Sequence, residues 1–173
     1  MKSKKDVKNI IKILKETYPE AECSLDFSNP FQMAIAVLLS AQCTDARVNI
    51  VTKELFKIAP NAKEMNKLTV EEIEKYISSC GLYKTKAKNI KKLAEKVVKE
   101  YDGNVPDNME ELMELPGIGR KSANVIMLEA FHNPQGVAID THAKRICNRI
   151  GISKEETPEK IEKDLLKKLD KED

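Results

Sequence analysis

A glycine-containing turn between two predicted helices is the part of the sequence most suited to binding chemistry. The residues Leu115-Pro-Gly-Ile-Gly119 separate a short helix predicted over residues 108–114 from a second one predicted from Arg120 to about Phe131. Because glycine allows backbone conformations and close approaches that a Cβ would block, the pattern is typical of a helix-hairpin-helix. Backbone N–H groups of the turn, together with the positive start of the following helix, can hold a DNA phosphate without reading a base. The alternative is a plain turn between helices.

A nucleotide-binding P-loop is another interpretation of the same residues, because Gly119-Arg-Lys-Ser122 superficially resembles Gly-Lys-Ser. The residue before Lys121 is Arg120 instead of glycine. A predicted helix also precedes the turn, where a P-loop requires a buried strand. The sequence therefore argues against nucleotide hydrolysis.

The elements that must position this turn are predicted to be helices. Apolar residues make up 41% of the 173 residues, charged residues 34% and aromatic residues only 5%, with no tryptophan. This balance favours an ordered all-α protein over a β-sandwich or barrel. Capping patterns and apolar spacing predict helix starts near Asn29-Pro30, Thr44 or Asp45, Thr69, Lys84, Asp140-Thr141 and Thr157-Pro158, in addition to a first helix carrying Val7, Ile10, Ile11, Leu14 and Tyr18. We expect Gly81 to end the helix that begins after Thr69.

Positive charge is concentrated locally, although the formal net charge of the chain is only +2. Lysines recur along the helix predicted from Lys84 to Tyr101, and a second basic cluster lies near the glycine turn. A lysine run is usually a solvated helix face, and nucleic-acid binding is the alternative.

No membrane span or secretory signal is predicted, since the longest apolar stretch is far shorter than the roughly 20 residues that cross a bilayer. We expect a cytoplasmic protein, associated with the nucleoid in a bacterium or archaeon, that acts as a monomer and not at a membrane.

The cysteines at 23, 43, 80 and 147 lack zinc-site spacing and predict reduced thiols, with no metal site.

Four blocks of this sequence together resemble the endonuclease III family of helix-hairpin-helix DNA glycosylases and abasic-site lyases. They are Leu38-Leu-Ser-Ala-Gln-Cys-Thr-Asp45, Gly81-Leu-Tyr-Lys-Thr-Lys-Ala87, Leu115-Pro-Gly-Ile-Gly-Arg-Lys-Ser-Ala-Asn124 and Val137-Ala-Ile-Asp-Thr-His142. The resemblance implies an all-α fold with a six-helix barrel over residues 21–132. It also implies a second helical lobe from residues 1–20 and 133–173, incomplete at its C-terminus, with a reactive cleft between the two.

The resemblance also implies the reaction and its catalytic residues. Lys121 would be the nucleophile that attacks the sugar, displaces a damaged base and leaves a Schiff base, from which β-elimination breaks the strand. Asp140, when ionised, would accept a proton or stabilise the developing cationic sugar. A helix N-cap is the structural alternative for Asp140, and both roles can coexist. The implied substrates are oxidised pyrimidines and abasic sites in double-stranded DNA.

Contacts with an opened duplex are implied for further residues of the matching blocks. Gln42 would fill the space vacated by the extruded base, and Leu82 would act as an apolar wedge. Gly117, Ile118, Gly119 and Arg120 would bind the DNA backbone, while Ser40 and Asp45 would border the base pocket.

The sequence departs from the family in its cysteines. Typical members continue with a further helix and four closely spaced cysteines that bind a [4Fe–4S] cluster, whereas the four cysteines present here are dispersed. We therefore expect no cofactor in this chain, and a cluster only if a further C-terminal region exists. The alternative function is a truncated helix-hairpin-helix DNA-binding fragment with weak or no catalysis.

Overall fold

The computed structural model describes residues 1–170, and every regular element in that range is an α-helix. This confirms the predicted all-α fold class. The helices are α1 (Lys4–Thr17), α2 (Pro30–Ser40), α3 (Asp45–Ile58), α4 (Ala62–Met65), α5 (Val70–Ile77), α6 (Tyr83–Tyr101), α7 (Met109–Met113), α8 (Arg120–Glu129), α9 (Thr141–Arg149) and α10 (Pro158–Leu166). None of the helices in residues 1–170 is long and apolar enough to cross a membrane.

The chain divides into two compact units, each with its own apolar core. Residues 23–133 form one unit, and residues 1–22 with 134–173 form the other. The last three residues of the predicted second lobe, 171–173, lie outside the described residues. Helices α2 to α8 belong to the first unit, whereas α1, α9 and α10 belong to the second.

Helix α2 is the most buried element of the unit formed by residues 23–133. All nine residues from Phe31 to Leu39 are buried. The helix begins as predicted, because the Asn29 side chain accepts a hydrogen bond from the backbone N–H of Gln32 at 2.9 Å and Pro30 occupies the first turn. A helix apolar on all sides needs neighbours on all sides, and α3, α6 and α8 pack against it.

The second unit has a smaller core. It is formed by Val7, Ile139, Cys147, Ile152, Ile161 and Leu165. On α1 only Val7 is buried, while Leu14 and Tyr18 of the predicted stripe are 43% and 63% exposed. Spacing on one helix shows which side chains share a face, but the neighbouring elements decide how much of that face is covered.

One helix end and one additional helix differ from the sequence-based expectation. Helix α5 has the predicted capping box between Thr69 and Glu72, yet it ends at Ile77 and not at Gly81. The backbone N–H of Cys80 bonds to the Ile77 carbonyl at 2.9 Å, so a tight turn replaces the last helical turn. The four-residue α4 was not predicted, because one turn is too short to show a 3.6-residue period.

Candidate active site

The hairpin between α7 and α8 requires glycine at position 117. Gly117 has φ +83°, and a Cβ built there would lie 2.8 Å from Cδ1 of Leu38 on the buried helix α2. Both the positive φ and the close approach exclude an unstrained side chain. Ile118 is buried, and its N–H bonds to the Leu115 carbonyl at 3.0 Å, which closes the turn.

Gly119 occupies the N-cap of α8 without a capping side chain. Its backbone is extended, its carbonyl accepts the N–H of Ala123 at 2.9 Å, and a Cβ built there would meet nothing within 4 Å. The first N–H groups of a helix have no carbonyl partner within the helix. A phosphate can therefore take the position that a capping side chain occupies elsewhere.

Lys121 is the second residue of α8 and is exposed, as is Arg120 before it. Ala123 and Asn124 are buried and anchor the first turn of the helix in the core of its unit. The amine that the resemblance assigns as nucleophile is thus carried by a fixed helix start and is open to solvent.

Asp140 is the N-cap residue of α9 in the other unit. Its Oδ1 accepts the backbone N–H of Ala143 at 2.7 Å, and its carbonyl accepts the N–H of Lys144 at 2.9 Å. Within residues 1–170 its second oxygen, Oδ2, has no hydrogen-bond donor. Asp140 therefore caps α9, which is the structural alternative that the sequence offered. Its Oδ2 is the oxygen that could take the catalytic role implied by the resemblance.

Gln42 and Leu82 are 40 positions apart in the chain but lie in neighbouring loops. A Cβ built at Gly81 would be 3.2 Å from the carbonyl oxygen of Gln42. Both residues are exposed, Leu82 at 62%, and both have left-handed backbones with φ +54° and +58°. A non-glycine residue held there costs about 1 kcal/mol or more. The structure thus brings together the two residues assigned to the opened duplex.

Ser40 and Asp45 flank the Gln42 loop, and both side chains are engaged within their own unit. The Ser40 hydroxyl donates to the Val37 carbonyl at 2.9 Å, and the Asp45 carboxylate accepts the Ser24 hydroxyl. Their assignment to a base pocket stays a prediction.

Sequence reasoning missed Lys86, because a run of lysines on one helix favours a solvated face. Its side chain is only 5% exposed, and its Nζ donates to the carbonyls of Leu39 at 2.9 Å and Ala41 at 2.6 Å. A signal was present, because Lys86 shares helical spacing with the buried Ile90 and Leu93. The other lysines of the helix are exposed or half-buried.

The cysteines do not form the ligand set of an iron–sulfur cluster. Within residues 1–170 no group of three or more His, Cys, Asp or Glu side chains could hold a metal ion. Burial, together with the neighbouring Cys43 thiol, raises the pKa of Cys80 from 9.0 to about 11. Burial also raises the pKa values of Cys23 and Cys147. A cluster binds four cysteines held close together, so these dispersed cysteines do not fit it.

Comparison with known proteins identifies similar chains that cover most of this sequence. A family model described as HhH-GPD superfamily base excision DNA repair protein matches residues 35–171. Endonuclease III of Synechocystis sp. is 49% identical over 168 residues, covering 96% of this chain and 77% of the relative. Endonuclease III of Escherichia coli K12 is 42% identical over 158 residues, covering 91% and 74%.

Solved structures show the same similarity in three dimensions. A trapped endonuclease III–DNA covalent intermediate has a TM-score of 0.94 and 42% identity, covering 99% of this chain and 81% of the other. A non-covalent endonuclease III–DNA complex has a TM-score of 0.93 at the same identity, covering 99% and 80%. The chain therefore has the all-helical fold of helix-hairpin-helix DNA glycosylases.

Proposed function

The chain belongs to the endonuclease III family of HhH-GPD base excision DNA repair proteins, and from this membership we propose that it is a bifunctional DNA glycosylase and abasic-site lyase. Its proposed partner is double-stranded DNA, and the solved structures of its relatives are complexes with DNA. The observation that carries the proposal is the uncapped start of α8. There the left-handed Gly117, an N-cap glycine without a side chain and the exposed Lys121 follow one another within five residues.

Lys121 supplies the nucleophile in this proposal. Its neutral amine forms a bond to C1′ of the sugar, while the bond from C1′ to the base breaks and the base leaves with the electron pair. The sugar ring then opens to give a Schiff base between Lys121 and C1′. Loss of a proton from C2′ expels the 3′ phosphate, which breaks the strand by β-elimination. Hydrolysis of the Schiff base releases the enzyme.

Asp140 is proposed to act through the oxygen that does not cap α9. A carboxylate near the sugar stabilises the positive charge that develops as the glycosidic bond stretches, and it can accept a proton from the incoming amine. Because Oδ1 is held by the Ala143 N–H, the carboxylate has a fixed orientation for this role.

The DNA contacts are proposed to divide between backbone binding and base extrusion. Gly117, Gly119 and Arg120 hold a phosphate at the start of α8, which gives affinity without sequence preference. The buried Ile118 contributes by closing the turn, because its N–H is already bonded to the Leu115 carbonyl. Gln42 and Leu82 enter the duplex, and the adjacency and exposure of their loops support this role. Ser40 and Asp45 are proposed to border the extruded base.

The finer assignments extend the family resemblance. The proposed substrates are oxidised pyrimidines such as thymine glycol, and the proposed location is the cytoplasm, at the nucleoid, where the DNA substrate lies. The protein is proposed to act as a monomer. No step of the proposed reaction is routed through a cofactor, since the described cysteines do not fit a cluster.

Borohydride trapping tests the function directly, because borohydride reduces a Schiff base to a stable covalent adduct. The purified chain is incubated with a duplex holding one abasic site or one thymine glycol, beside Lys121→Ala. Lys53→Ala, which removes an exposed lysine on α3, is the matched control. We expect adducts with the wild type and with Lys53→Ala, and none with Lys121→Ala. A folded wild type that binds duplex without forming an adduct would instead identify a DNA-binding fragment.

A further inference from the structure

Lys86 is a buried cation whose neighbours on the helix are solvated. Its side chain is 5% exposed, whereas Lys84 and Lys88, two residues away on either side, are exposed. Removing an ammonium group from water is unfavourable unless hydrogen bonds replace its hydration. The position therefore demands specific acceptors.

The acceptors are backbone carbonyls at the end of helix α2. Nζ of Lys86 donates to the Leu39 carbonyl at 2.9 Å and to the Ala41 carbonyl at 2.6 Å. The last carbonyls of a helix lack N–H partners within the helix and carry partial negative charge. A lysine ammonium both donates hydrogen bonds to these carbonyls and places a positive charge beside their partial negative charge.

The same residue also joins the Leu82 loop to this junction. The backbone N–H of Lys86 bonds to the carbonyl of Leu82 at 3.0 Å, while its ammonium holds Ala41, the residue directly before Gln42. Lys86 is thus bonded to Leu82 itself and to the immediate neighbour of Gln42. Both loop residues have left-handed backbones, which persist only where the surroundings hold them.

We propose that Lys86 is a positioning residue for base extrusion, which fixes the Gln42 and Leu82 loops against each other so that both enter the duplex together. This inference rests on the proposed glycosylase function. Preorganised loops do not have to be ordered at the moment when the base leaves the stack. Extrusion of a paired base is therefore the step that depends on Lys86. The chemistry at C1′ does not depend on it.

Lys86→Met tests the proposal, because methionine fills a similar apolar volume without donating hydrogen bonds. Lys91→Met is the matched control: Lys91 lies on the same helix, is half-buried, and its Nζ also donates to a backbone carbonyl, that of Asn66, away from these loops. Single-turnover rates are measured on a duplex with a paired thymine glycol and on a duplex with a preformed abasic site. The second substrate has no base to unstack.

We expect Lys86→Met to slow reaction on the paired base by about tenfold or more, and reaction on the abasic site by less than about threefold. Lys91→Met should change both rates by less than about threefold, even where the two variants lose similar thermal stability. Equal losses of Lys86→Met on the two substrates, or the same selective loss in Lys91→Met, would refute the positioning role. A wild type inactive on both substrates would refute the proposed function instead.

Gly81→Ala provides a second variant that leaves Lys86 and the core intact. Its Cβ would lie 3.2 Å from the Gln42 carbonyl, so that the Gln42 loop must shift by a few tenths of an ångström. If Lys86→Met does not fold, a selective loss of Gly81→Ala on the paired base supports the proposal. An equal loss on both substrates, or no loss at all, contradicts it.

Discussion

Substitution of Gly117 by alanine tests whether the backbone conformation of the hairpin and its close contact with Leu38 require glycine at this position. At φ +83° an alanine costs about 1–2 kcal/mol relative to an ordinary backbone conformation. Its Cβ would also stand 2.8 Å from Cδ1 and 3.2 Å from Cγ of Leu38, and 3.3 Å from Nδ2 of Asn89. Leu38 is only 4% exposed, so its displacement within a packed core costs about 1–3 kcal/mol more. We expect Gly117→Ala to lower the free energy of unfolding by about 2–5 kcal/mol.

Gly119→Ala is the matched control, two residues further along the same turn. Its φ is −96°, and the added Cβ meets nothing within 4 Å, so we expect a loss below about 1 kcal/mol from the weaker N-cap. Urea unfolding followed by far-ultraviolet circular dichroism gives both values with one assay. If the two variants differ by less than about 1 kcal/mol, neither the positive φ nor the approach to Leu38 explains the glycine at 117.

Two further predictions concern ionisable side chains. Asp140→Asn retains a capping acceptor and should change the unfolding free energy by less than about 0.5 kcal/mol, while Asp140→Ala should lose about 1 kcal/mol. Both variants should slow single-turnover base release, and an unchanged rate in Asp140→Asn would reduce Asp140 to a cap. The pKa of Cys80, raised from 9.0 to about 11, means that the folded chain keeps a proton that the unfolded chain loses between those values. The free energy of unfolding should therefore fall as the pH rises above 9, and it should fall less steeply in Cys80→Ala. Urea midpoints of the wild type and Cys80→Ala that change in parallel from pH 8 to about 11 would contradict this.

Local sequence determined the helix starts of this protein. Asn29, Thr69 and Asp140 each cap a helix by accepting an N–H three residues ahead, as their types and positions predicted. Such bonds close within one turn, so they depend on neighbouring residues alone. The hairpin glycines belong to the same class, because the conformation of a short turn is a local property.

Matching blocks of sequence determined the family, since four of them in a fixed order are far more specific than any single motif. They could not establish the environment of each residue. Ser40 turns its hydroxyl to its own helix and Asp45 accepts from Ser24, and neither bond has a signature in the spacing of the motif.

Only the tertiary structure decided which distant residues act together. Three features join α2 and its loop to residues some 40 positions away: the buried Lys86, the adjacency of Gln42 and Gly81, and the proximity of Cys43 to Cys80. The local sequence predicts whether each of these residues lies in a helix or a loop, but it does not predict which distant residue each one contacts. The partner is set by how the buried helix α2 packs against α6, because the positions of both chain segments are fixed by the whole core.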